Sequence, residues 1–230
     1  MSNVFTGFEF RHSVKENLVI INKTFNNSFG ISIVDCKNGI FQQNTLEIKA
    51  KYGFHLFSAN ESNFENNFVT KSQRGYALFF SNLNEFTYNS ALLNEDRFFL
   101  ESESNNNKFI NNSVINNLMH GFTINWGNNN IFQKNNAKNN NLNGYSVYYG
   151  EFNQFTNNTS MLNLNYGFFF DNIMQNNYVV NNSACGNNQQ SFLNYPDKNI
   201  LLNNRELNYS VTKTTTTASY QTTGTTSDQS

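Results

Sequence analysis

Apolar residues come along this chain in short pulses and never in long runs. Phe122 and Ile124 form one pulse, Ile131 and Phe132 a second and Ala137 a third, after which the pattern restarts. Within a pulse apolar and polar positions alternate or nearly so, which is the period of a half-buried strand. Asn, Gly and Ser fill the gaps, and these are turn residues. No pulse has the length or the 3.6-residue period of a helix, and Asn and Ser are mediocre helix formers.

The restart has a fixed length. The phrase Asn-x-Phe-x-x-Asn recurs as Asn84, Phe86 and Asn89; Asn107, Phe109 and Asn112; Asn130, Phe132 and Asn135; Asn153, Phe155 and Asn158. Its second Asn can be followed through Asn22, Asn44, Asn67, Asn89, Asn112, Asn135, Asn158, Asn181 and Asn204, with neighbours 22 or 23 residues apart. A second phrase, Gly-aromatic-x-aliphatic, precedes it in each unit, as in Gly53-Phe54-His55-Leu56 and Gly121-Phe122-Thr123-Ile124. A fixed period in this range signals a stacked repeat. Three strands and three bends per unit describe one coil of a right-handed parallel β-helix. The expected fold is therefore all-β: about nine coils over residues 1–209, then a disordered Thr/Ser-rich tail at 210–230. The rival, a leucine-rich repeat, needs Leu-x-x-Leu-x-Leu spacing, whereas Phe dominates here.

Coils of such a solenoid stack at about 4.8 Å, so equivalent residues lie over one another. An Asn amide both donates and accepts, and identical Asn side chains can bond along a column. Asn also tolerates the left-handed conformation of a sharp bend. Phe41, Phe64, Phe86, Phe109, Phe132, Phe155 and then Tyr178 are expected to stack inside. The last unit, 191–209, carries Pro196 and the charged pair Arg205-Glu206. It reads as a polar cap, because an open coil exposes unpaired backbone.

Composition narrows the function. Charged residues are 13% of the chain and the net charge is −1; with no basic patch, nucleic-acid binding has little support. Aromatics at 16% can fill a core. No stretch reaches the roughly 18 apolar residues of a membrane span. The first residues lack a basic segment followed by an apolar run, so no signal peptide is read. The fold and the Thr-rich tail nevertheless favour an extracellular or cell-surface location. The bare first coil invites self-association or continuation at that end.

The phrases Asn107-x-Phe109-x-x-Asn112 and Gly121-Phe122-x-Ile124 resemble the repeats of NosD-like right-handed parallel β-helix proteins, within the pectin-lyase-like superfamily. The resemblance covers residues 4–209 and implies a carbohydrate-facing or surface role. That superfamily includes polysaccharide lyases, hydrolases and alginate epimerases. Their catalytic residues do not carry over. Asp35, Asp96, Asp171 and Asp197 do not form the adjacent-coil carboxylate set of polygalacturonase-like enzymes. Tyr52-Gly53-Phe54-His55 and Tyr166-Gly167-Phe168-Phe169 both lack the Asp-Pro-His that follows Tyr-Gly-Phe in alginate epimerases.

The remaining candidate chemistry is sparse. His12, His55 and His120 fall on different coils, so no metal site is assigned, and no cofactor; exposed or turn positions are expected for them. Cys36 and Cys185 lie about six coils apart, too far for a disulfide. One surface stands out. In the Gly-aromatic-x-aliphatic phrase the aromatic and aliphatic side chains point in, so alternate residues point out. The next outward position gives one residue per coil: Arg11, Val34, Phe57, Phe79, Glu101, Asn125, Tyr148, Asp171 and Tyr195. Aligned exposed aromatics mark interaction sites. Phe57, Phe79, Glu101, Asn125, Tyr148 and Asp171 are therefore the candidate carbohydrate-binding residues. The competing reading is that a loop or a neighbouring chain covers the stripe. The functional expectation is a non-catalytic, surface or polysaccharide-binding module. The alternatives are a polysaccharide-active enzyme or a segment of a longer solenoid.

Overall fold

The computed structural model describes residues 6–13, 16–48, 51–171, 176–194 and 198–207. The Thr/Ser-rich tail at 210–230 and Tyr195 lie outside the described residues. Three parallel sheets of nine strands each run the length of the molecule, and every described coil contributes one strand to each in turn. One coil reads Arg74–Phe79 in the first sheet, Glu85–Thr87 in the second and Ser90–Leu92 in the third. Each strand pairs in register with its equivalents one coil before and one coil after. The fold is the expected right-handed parallel β-helix.

Two aromatic stacks fill the interior. Phe41, Phe64, Phe86, Phe109, Phe132 and Phe155 point in from the second sheet, with centroids 4.5–4.9 Å apart and nearly parallel rings. Phe54, Tyr76, Phe98, Phe122, Tyr145, Phe168 and Phe192 form the other stack, from the first sheet. The stacks meet edge to face, as Phe98 meets Phe109 at 5.5 Å. Stacked and T-shaped pairs both suit the ring quadrupole. The third sheet leaves them room with smaller inward residues: Val69, Ala91, Val114, Ala137, Ser160 and Ala184. Where Tyr replaces Phe, its hydroxyl is satisfied: Tyr145 donates to the Asn135 carbonyl at 2.9 Å and Tyr76 to the Asn67 carbonyl at 3.0 Å.

Three Asn ladders hold the corners, where the sequence pattern suggested one. At each rung the backbone N–H of one Asn, and in nearly every rung its Nδ2 too, donates to Oδ1 of the Asn on the next coil. For Asn112 these bonds to Asn135 are 2.8 and 3.0 Å, and Nδ2 also donates to the Phe86 carbonyl at 2.9 Å. Its own Oδ1 accepts from Asn89 N and Nδ2. Every polar atom of this buried amide is thereby bonded. The second ladder runs through Asn84, Asn107, Asn130, Asn153, Asn177 and Asn199. The third runs through Asn94, Asn117, Asn140, Asn163 and Asn187. A residue with positive φ precedes each rung of the first, such as Tyr88 at 56° and Asn111 at 56°. At the third ladder's corner, between Asn117 and the strand Phe122–Asn125, Gly121 is required by contact: a Cβ there would sit 2.3 Å from the Gly144 carbonyl oxygen.

Two expectations are corrected at the eighth coil. The rung after Asn158 is Asn182, not Asn181, and the inward residue after Phe155 is Val179, not Tyr178. Tyr178 is 45% exposed and Val179 is buried. That coil is one residue longer than the period, and the Asn181-Asn182 doublet masks the shift. In the ninth coil Glu206 pairs with Ala184 at an inward position, and Ser191 Oγ donates to its carboxylate at 2.7 Å. A charged side chain in that seat suits the end of a stack. Cys36 and Cys185 are both buried and unbridged.

Candidate functional site

The outer face of the first sheet carries the chemistry. Its strands are the longest, up to six residues, so each presents more than one outward side chain beyond the corner. The outermost column follows the expected stripe through Arg11, Val34, Phe57, Phe79, Glu101 and Asn125, all paired in register. Phe57 is 40% exposed and packs edge-on against Phe80 at 5.6 Å. Phe79 leans the other way, over the strand, to His55 at 5.7 Å and Tyr52 at 6.2 Å. Glu101 faces Arg74 at 3.9 Å, and the Arg74 guanidinium lies 4.0 Å from the Phe99 ring centroid. Asn125 is half-buried in a shallow cleft of about 320 Å³ lined also by Phe99, His120, Thr123 and Tyr148.

The stripe breaks after Asn125. The register shifts there, and Asn125 pairs with Tyr149. Tyr148 is the extra residue of a β-bulge, and bulges re-aim side chains. Its ring turns to Phe169 at 5.6 Å and its hydroxyl to His120 Nε2 at 3.2 Å. The column position expected for Tyr148 thus belongs to Tyr149. Asp171 follows the strand Phe168–Phe170, and its backbone N–H bonds to Val147, one coil back. Phe57, Phe79, Glu101 and Asn125 share one column, which Tyr149 rather than Tyr148 continues.

The column beside the stripe was not singled out in the sequence. It comprises Ser32, His55, Ala77, Phe99, Thr123, Ser146 and Phe169, outward-facing yet largely covered by its neighbours. His12 is exposed and His120 lies in the corner before Gly121, as expected, whereas His55 sits in the strand Tyr52–Phe57 and is partly covered, against the expectation of an exposed or turn position. His55 stacks on Tyr52 at 5.1 Å and meets Ser32 Oγ at 3.2 Å. Burial, with the Arg11 charge adding to it, lowers its pKa to about 4, so the ring is neutral at pH 7. His120 Nδ1 accepts from the Asn143 backbone N–H at 3.3 Å and lies 2.9 Å from Ser146 Oγ, which in turn accepts from Asn143 Nδ2 at 2.9 Å. An accepting Nδ1 leaves Nε2 to carry the proton toward Tyr148. The network orients a phenol and an imidazole against each other. Among the described residues no group of three or more His, Cys, Asp or Glu could hold a metal ion. No helix of the described residues is long and apolar enough to cross a membrane.

Solved structures of similar fold include the periplasmic alginate epimerase AlgG, at 14% identity and a TM-score of 0.67, covering 85% of this chain and 51% of that one. The A-module of the Azotobacter vinelandii mannuronan C-5 epimerase AlgE6 gives 15% identity and a TM-score of 0.67, with 84% and 65% covered. The chain thus spans less than two thirds of either protein, and at these identities the likeness is one of fold alone. No curated protein matches the sequence. The family model described as the right handed beta helix region matches residues 6–160. With that match over most of its length, and with three continuous sheets and their ladders, the chain belongs to the right-handed β-helix family.

Proposed function

We propose that the protein is a non-catalytic, NosD-like surface module that binds polysaccharide along the outer face of its first sheet, outside the cell. One observation carries the reading: two partly exposed rings and then two hydrogen-bonding groups follow one another along a single axis. Phe57, Phe79, Glu101 and Asn125 succeed one another at one residue per coil, with the His120–Tyr148 pair beside them. Aromatic faces pack on the apolar faces of sugar rings, and the carboxylate and amide groups bond hydroxyls. The in-register pairing repeats the face coil after coil, which suits an extended chain rather than a compact ligand. The epimerase relatives act on polysaccharides by their names, which agrees in ligand class only. A glycan array with the parent protein, Phe79→Ala and Tyr148→Ala tests it. Binding of a polysaccharide by the parent and its loss in both variants is expected; equal binding by all three rejects the face.

A second reading, a polysaccharide-active enzyme, rests on the His120–Tyr148 contact at 3.2 Å. A phenol hydrogen-bonded to an imidazole is a proton-transfer pair. Incubation with polysaccharides and analysis for unsaturated ends, reducing ends or changed sugar configuration tests it. Product formation that Tyr148→Phe abolishes would replace the non-catalytic reading.

A further inference from the structure

At the corner beyond the stripe the backbone changes length from coil to coil. Ser102 and Glu103 lie between Glu101 and Ser104. Trp126 alone lies between Asn125 and Gly127, and Tyr149 runs directly into Gly150. Ser104, Gly127 and Gly150 occupy equivalent seats, since a Cβ on Gly127 would meet the Ser104 carbonyl and one on Gly150 the Gly127 carbonyl. The shortening slides Tyr149 against Trp126, and the two rings stack at 4.3 Å and 9°. Trp126 remains 56% exposed and has φ of 67°.

The stack forms one wall of a cleft of about 430 Å³, in the range of small-ligand sites of roughly 300–1,000 Å³. Glu103, Asn105, Asn128, Gly150 and Glu151 line the rest. Asn105 and Asn128 continue an outer Asn column whose Oδ1 atoms are already used: Asn128 N donates to Asn105 Oδ1 and Glu151 N to Asn128 Oδ1, both at 2.7 Å. Among the described residues no acceptor lies against their Nδ2 groups. The cleft therefore offers an aromatic platform, two amide donors and two carboxylate acceptors, with no cation among its lining residues.

We infer that this corner is a sugar-binding subsite selective for a pyranose ring without a carboxylate. The ring would lie on the exposed face of Trp126, its hydroxyls between the Asn amides and the Glu103 and Glu151 carboxylates. A uronate would bring a third negative charge between two others with nothing to neutralise it. The inference takes its ligand class from the polysaccharide reading, but its residues are separate from the stripe.

Trp126 is the only tryptophan in the chain, so its emission reports this site directly. The full chain is titrated with gluco-, xylo-, manno- and N-acetylchito-oligosaccharides, and with oligogalacturonate and oligomannuronate. A saturable emission change with at least one neutral series and none with the uronates is expected. Tyr149→Ala should weaken that affinity at least tenfold, and Glu103→Gln with Glu151→Gln should admit uronates. No change with any neutral series, or an equal response to uronates, overturns the inference. Phe79→Ala separates the two readings: an emission response that survives it, alongside lost array binding, leaves both standing. A Trp126 response with array binding unaffected by Phe79→Ala rejects only the stripe.

Discussion

The column through Asn112 and the column through Glu101 run parallel along the same solenoid, yet they obey different rules. The first repeats one residue type at every coil. The second reads Arg, Val, Phe, Phe, Glu, Asn and then Tyr149 after the bulge. Inside, each side chain must bond to or stack on its own copy 22–24 residues away, so the chemistry of one rung dictates the next. Outside, no stacked copy constrains the side chain, so the residue type is free to vary from coil to coil. Regularity therefore marks what holds the molecule together, and departure from it marks where function can reside.

The sharpest way to break this comparison is to remove one ring from each column. Phe109 is fully buried, stacked on Phe86 at 4.9 Å and on Phe132 at 4.7 Å. Phe109→Ala should destabilise by about 3–5 kcal/mol, the usual cost of a Phe-sized cavity. Phe57→Ala should stay within about 0.5 kcal/mol. Urea denaturation of both variants checks it; similar midpoints would mean that the outer column is structural.

The ladder provides the next contrast. Asn112→Asp removes both Nδ2 bonds, to Asn135 and to the Phe86 carbonyl, and places a carboxylate in a buried amide column. Each unsatisfied buried group costs about 1–3 kcal/mol, so a loss near 3 kcal/mol or more is expected. For a chain of this size that is a fall in Tm of roughly 10 °C. Asn116 is exposed and off the ladder. Asn116→Asp should shift Tm by about 1–2 °C at most. Equal Tm values would remove the distinction between ladder and corner Asn.

Much of this was legible in the sequence, for a physical reason. A parallel coil needs equivalent residues at equal spacing, so Phe41 to Phe155 and Asn22 to Asn158 announce themselves. The other two ladders were missed, although the five-residue step Asn84, Asn89, Asn94 that recurs as Asn107, Asn112, Asn117 carries them. The site was not. Trp126 and Tyr149 meet because a bulge in one strand is offset by a shorter corner, and the 23-residue spacing of Gly127 and Gly150 conceals both changes. His120 lies outside the repeated phrases, so no period pointed to its contact with Tyr148.

His55 gives a pH-dependent version of the contrast, since it is an outer-face residue covered by its neighbours. Its pKa is about 4 when folded and about 6.5 when unfolded. Above pH 6.5 the ring is neutral in both states. Between 6.5 and 4 the unfolded chain takes up a proton that the folded chain refuses, so stability falls as pH drops through that window. Thermal melts at pH 7 and pH 5 should differ by a few degrees, and His55→Gln should flatten the difference. An unchanged slope in the variant would mean that His55 is more open than its ring contacts indicate.

The smallest effect is expected at Glu101, and it sharpens the comparison most. Its partner Arg74 is 3.9 Å away, both side chains are about 30% exposed, and Arg74 is held independently over Phe99 at 4.0 Å. Ion pairs this open contribute roughly 0–1 kcal/mol, because water screens the charges and the side chains lose freedom. Glu101→Gln keeps the shape and a hydrogen-bonding oxygen, so Tm should move by no more than about 2 °C. Arg74→Lys should cost more, since an ammonium cannot stack flat on a ring as a guanidinium does. If polysaccharide binding falls in Glu101→Gln while Tm holds, that position serves recognition. If instead Glu101→Gln melts as early as Asn112→Asp, the outer column is part of the scaffold and its irregularity has another cause.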